Sequence, residues 1–113
     1  MEVTLKTSRH MESLHATLSE LTEQQHQVRD DGPVAPANCW IDTYRPSGRE
    51  TVYARLRCDR VLANGKRTQG LGRVGSSDHR DWQARIRRRN ALQELERRAE
   101  AVASLADLPP VVW

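Results

Sequence analysis

Residues 39–59 read CWIDTYRPSGRETVYARLRCD, and this stretch decides the fold. Val52, Ala54, Leu56 and Cys58 alternate with Thr51, Tyr53, Arg55 and Arg57. A period of two places one set on each face of a β-strand. CWIDTYR is rich in the β-branched and aromatic residues that suit a pleated surface, and PSGR has the chemistry of a turn. A hairpin turning at Ser47-Gly48 sets Tyr44 opposite Thr51, Asp42 opposite Tyr53 and Trp40 opposite Arg55. Cys39, Ile41 and Thr43 then join the apolar face, with Cys39 and Cys58 diagonal to each other. A slip of one residue would scramble both faces, so this register is consistent with the two-faced pattern.

Downstream, Asn64-Gly65 signals a second reversal. KRTQGLGRV (66–74) reads as a third strand, loosened by Gly70 and Gly72, with Leu71 toward the core. A bulge at Gly70 would exchange its faces. Gly75 to Asp78 open a second helix, with Asp78 or a neighbouring Ser as its cap. This helix is expected from about Arg80 to Leu105, before Pro109 and Pro110 forbid continuation. Trp82 and Ile86 occupy one side of it. Ala91, Leu92, Leu95, Ala99, Val102 and Ala106 occupy nearly the opposite side. The front half is therefore expected to pack on the sheet and the back half on something else.

Upstream, Gly32, Pro33 and Pro36 mark a linker. Before it, Met11, Leu14, Leu18, Leu21 and Val28 recur at steps of three and four, with Gln25 filling one seam position. This narrow apolar stripe needs a helical partner, either the second helix or another copy of the chain, as in a coiled coil. The expected architecture is α+β: an N-terminal helix, a three-stranded antiparallel sheet, and a long C-terminal helix packed on one sheet face. The expected divisions are a helix over 1–30, a linker over 31–38, sheet plus helix over 39–106 and a tail over 107–113.

Charge is distributed unevenly. Cys39 to Arg89 holds thirteen of the eighteen Lys and Arg residues but five of the fifteen acids, an excess of eight positive charges. The remainder is five negative, which hides the polarity in a total of +3. A basic centre between acidic flanks suits a polyanion, most often nucleic acid. The face opposite the core brings Trp40, Tyr44, Tyr53, Arg55 and Arg57 together with Asp42, and the third strand adds Lys66 and Thr68. Rings offer planes for stacking, and guanidinium forks match phosphate or guanine. The plain alternative is a solvated face on which Arg55 stacks over Trp40. The run RIRRR places Arg85, Arg87, Arg88 and Arg89 around more than one helical turn. Arg87, Arg88 and Arg89 lack an acid four residues earlier, and an anion would relieve their mutual repulsion.

Other chemistries find little material. With no Phe and 37% hydrophobic residues, the core is small and leaves no deep substrate pocket. The histidines have no metal-binding spacing, and no nucleophile–base arrangement can be assembled. Two cysteines suit neither a disulfide scaffold nor a zinc site, and they read as buried free thiols. We therefore expect a non-enzymatic protein without metal or cofactor. No apolar run reaches membrane-spanning length, and the N-terminus has no signal-peptide core, so a cytoplasmic location is expected.

NGKRT..LG followed by W.A.I on a helix resembles the three-stranded-sheet DNA-binding modules of the plant ethylene-response type and of tyrosine-recombinase N-terminal arm domains. The resemblance covers roughly 39–95. It implies a sheet entering the major groove, with DNA rather than RNA as partner. It also implies base or phosphate contacts from Trp40, Tyr44, Arg55, Arg57, Lys66 and Arg67. Asp42 on the same face departs from that pattern. The rival expectation is an adaptor that binds a helical protein partner or a second copy through its apolar stripes.

Overall fold

The computed structural model describes residues 2–107, with side chains from 10 to 105. The element order is α1 (Glu2–Asp30), β1 (Cys39–Tyr44), β2 (Tyr53–Cys58), β3 (Thr68–Arg73) and α2 (Ser77–Asp107). The three strands form one antiparallel sheet in the order β1-β2-β3. This is the expected α+β arrangement. Both helices begin earlier than their apolar periodicity, because helical backbone extends past the last residue that must be buried. Of the tail expected over 107–113, Asp107 belongs to α2, and 108–113 lie outside the described residues.

The chain divides into two compact units, Gly32–Asn90 and a second made of 1–31 with 91–113. The division at Ala91 runs through α2, inside the block drawn from sequence as 39–106. In the first unit, Cys39, Ala54, Leu56, Cys58 and Leu71 form the buried cluster. Ile41, Leu62, Trp82 and Ile86 pack against it. The front of α2 therefore covers the sheet through the two residues that its pattern singled out. In the helical unit, Leu14 and Leu21 of the stripe are buried, as are Leu92 and Leu95 of α2. Met11, Leu18 and Val28 are half-buried.

The hairpin register differs from the expectation by two residues. Cys39 pairs with Cys58, Trp40 with Arg57, Asp42 with Arg55 and Tyr44 with Tyr53. A shift of two preserves both faces, which is why polarity alone left it open. Pro46 has no N–H to continue a ladder. Instead its carbonyl accepts from Arg49 N–H at 3.1 Å within an eight-residue connection, 45–52. The observed register also opposes a carboxylate to a guanidinium and one tyrosine to another, both favourable cross-strand pairs. The two cysteines are consequently opposite rather than diagonal.

In β3 the extra residue lies between Gly70, which pairs with Arg55, and Arg73, which pairs with Tyr53. Gly72 has φ +78° there, a conformation that L side chains resist. The bulge thus falls after Leu71 and not at Gly70. Leu71 remains inward, and Arg73 is brought to the outer face.

The start of α2 is fixed by Ser76. Its Oγ accepts from His79 N–H at 3.3 Å and donates to Leu71 O at 2.7 Å. Buried His79 returns the contact, its Nδ1 accepting from Gly75 N–H at 2.9 Å. Ser76→Ala removes both the cap and the tether to β3. We expect it to cost about 1 kcal/mol, read as a lower urea midpoint with an unchanged slope.

Candidate nucleic-acid interface

The outer sheet face is a grid of three rows. One row holds Trp40, Arg57 and Thr68, the next Asp42, Arg55 and Gly70, and the third Tyr44, Tyr53 and Arg73. Trp40 is 47% exposed and Tyr44 is 39% exposed, so the face is open and its rings are accessible. Ala54, Leu56 and Cys58 are buried while Tyr53, Arg55 and Arg57 are half-buried, so the strand polarity holds along all of β2.

Asp42 organises the centre. Its Oδ1 accepts from Arg55 Nε at 2.8 Å, and its Oδ2 accepts from Arg55 Nη2 at 3.3 Å and Arg57 Nη1 at 3.1 Å. These bonds, that from Arg55 foremost, hold the Asp42 carboxyl below its usual value of 3.8. The same carboxylate raises the pKa of Arg55. Arg55 lies 4.9 Å from the centre of the Tyr44 ring, and Tyr44 stacks on Tyr53 at 5.9 Å. The cation–π partner of Arg55 is therefore Tyr44 and not Trp40. Two sides of the Arg55 fork are engaged by Asp42, while Nη1 has no partner among the described residues. The fork is held in one plane with its outer edge available, and the indole of Trp40 stands one row away.

The arginine run is used differently from the sequence expectation. Arg89 Nη1 donates to Cys39 O at 2.6 Å and to Pro36 O at 2.9 Å. Arg88 Nη1 donates to Pro33 O at 2.9 Å. The Arg88 guanidinium fills the space beside Gly32, where an added Cβ would lie 2.7 Å from it. Ala35 N–H also donates to Arg85 O at 3.2 Å. Residues 32–38 are thus strapped along α2 by the basic run. Arg88 and Arg89 are satisfied by main-chain carbonyls, a partner that charge spacing along the helix does not reveal. Arg85 pairs with Asp81 at 2.9 Å and lies 4.7 Å from the Trp82 ring centre. Arg87 is exposed and makes no side-chain hydrogen bond or ion pair among the described residues.

Cations without an acidic partner among the described residues surround the grid instead. Arg45 and Arg49 lie in the β1–β2 connection, where Arg49 Nη1 reaches the Tyr53 hydroxyl at 3.5 Å. Lys66 and Arg67 lie in the β2–β3 connection, beside an Asn64-Gly65 turn closed by Lys66 N–H on Asn64 Oδ1 at 2.9 Å. Arg73 ends β3 and is exposed. The sequence reading missed Arg73, because its outward direction depends on the bulge at Gly72.

No group of three or more His, Cys, Asp or Glu is placed to hold a metal ion among the described residues. No described helix is long and apolar enough to cross a membrane. In comparisons with known proteins, no family model, no curated protein and no solved structure matches this chain.

Proposed function

We propose that this protein binds nucleic acid, duplex DNA in the first instance, through the outer face of its sheet. The observation that carries the reading is the shared open face of Trp40, Tyr44, Tyr53, Arg55 and Arg57, ringed by Arg45, Arg49, Lys66, Arg67 and Arg73. The chemistry divides by place. The rim cations contact phosphates, which supplies affinity without sequence preference. The centre carries Asp42, whose charge disfavours a phosphate there, so the Arg55 fork and the Trp40 ring meet base edges. Of the arginine run, Arg87 remains to meet phosphate, since Arg85, Arg88 and Arg89 have partners within the chain. Leu14, Leu21, Leu92 and Leu95 are buried within the chain, which takes the middle of both apolar stripes away from an adaptor role.

Titration of the full chain with duplex DNA, single-stranded DNA and RNA at low and moderate salt tests this. Expected is salt-sensitive binding, tightest to duplex DNA. Arg55→Ala should weaken it roughly tenfold or more and relax sequence preference. Arg67→Ala should weaken all sequences alike and reduce the salt slope by about one. Absence of binding to every nucleic acid at low salt would overturn the reading and favour a protein partner.

A further inference from the structure

The buried thiol pair lies outside the proposed interface and has a geometry of its own. Cys39 and Cys58 are directly opposite on β1 and β2. Cys58 N–H donates toward β3, to Arg67 O at 2.9 Å, so the backbone of Cys58 faces away from Cys39. The cysteines therefore form a non-hydrogen-bonded antiparallel pair, the kind whose side chains approach closest, with Cα atoms about 4.5 Å apart. That separation lies within the range a disulfide spans. Both thiols are free, and Cys39 Sγ donates to Cys58 Sγ at 2.8 Å.

We propose that Cys39 and Cys58 constitute a dithiol–disulfide site of the sheet unit, with small hydroperoxides as the oxidising substrate. Access differs between the two sulfurs. Cys58 lines a groove of about 370 Å³ shared with Pro36, Asn38, Arg60 and Leu62, wide enough for peroxide. Cys39 is 2% exposed, and burial together with the Cys58 contact pushes its thiol up to about 11. Cys58, the sulfur that lines the groove, is the attacking one and Cys39 the resolving one.

The Cys58 thiolate attacks one peroxide oxygen. The O–O bond breaks, and the departing hydroxide takes up a proton as water. The resulting sulfenic acid is attacked at sulfur by Cys39, the S–O bond breaks, and hydroxide leaves as water with the Cys39 proton. Two thiols and one hydrogen peroxide give one disulfide and two waters, each sulfur losing one electron. The new bond ties β1 to β2 across the eight-residue connection between them. Since it constrains the unfolded chain, it should raise Tm by on the order of 10 °C. The site is independent of nucleic-acid binding and stands or falls separately.

The test treats the full chain with hydrogen peroxide, quenches with catalase, and measures thiols and intact mass. Expected is loss of both thiols, a mass lower by about 2 Da for two hydrogens, a monomer on a non-reducing gel, a raised Tm, and reversal by dithiothreitol. Peptide mapping separates oxidation of Met1 and Met11. Cys39→Ser should stop at a Cys58 sulfenic acid that dimedone captures. The wild-type mass decides the matter even if that variant does not fold. Two intact thiols under conditions that oxidise the urea-unfolded chain would overturn the proposal, as would disulfides formed only between chains.

Discussion

Leu56→Ala is expected to lower the stability of the sheet unit by about 3 kcal/mol. Leu56 is fully buried in the middle strand and belongs to a cluster whose other members are Cys39, Ala54, Cys58 and Leu71. Removing its branched end leaves a cavity between the sheet and the Trp82–Ile86 side of α2. The surrounding residues have little freedom to fill it, because Ala54 is small and Cys39 and Cys58 are held by strand pairing. A core this size supports only a few kcal/mol of net stability, so the variant should be largely unfolded at 37 °C. Urea denaturation followed by circular dichroism reads the change. Arg57→Ala, one residue away on the opposite face, should shift stability by less than about 1 kcal/mol, since its ion pair is half-exposed. Equal losses in the two variants would contradict the two-faced reading of β2.

Arg89→Ala is expected to cost about 2 kcal/mol, an effect on stability before any on binding. One guanidinium nitrogen holds both Pro36 O and Cys39 O, so truncation frees the strap of 32–38 and leaves the edge carbonyl of β1 without its donor. Arg89→Lys should recover part of the loss, because an ammonium reaches these carbonyls without the fixed planar fork. Arg87→Ala should leave the urea midpoint unchanged while weakening DNA binding. If Arg87→Ala destabilised the fold as much as Arg89→Ala, the division of the arginine run into strap and surface would be wrong.

These contrasts mark what the chain reveals before folding and what it does not. The faces of β1 and β2 were legible because polar and apolar residues alternate without exception from Thr51 to Cys58. The contacts of Trp82 and Ile86 were legible for a related reason: their side of α2 is distinct from that of Leu92 and Leu95. The register was not, since a shift of two leaves every face unchanged. It was decided by Pro46 and by the Asp42–Arg55 and Tyr44–Tyr53 pairs. That shift turned diagonal cysteines into an opposed pair. The partners of Arg88 and Arg89 were hidden because they are backbone carbonyls fifty or more residues upstream. Asp42, discordant when viewed as one more residue of a basic surface, proves to be the group that holds two arginines in place. Arg73 joins the outer sheet face only through the bulge at Gly72.

The most direct measurement follows two indole N–H resonances, assigned with Trp40→Phe and Trp82→Phe, while duplex DNA is added at low salt. Trp40 stands on the open face and Trp82 against the core on the other side of the same sheet. The Trp40 signal is expected to move with saturable, salt-sensitive dependence while Trp82 stays in place. A Trp40 signal indifferent to DNA, with changes confined to Trp82 and the helical residues, would contradict binding through the outer sheet face.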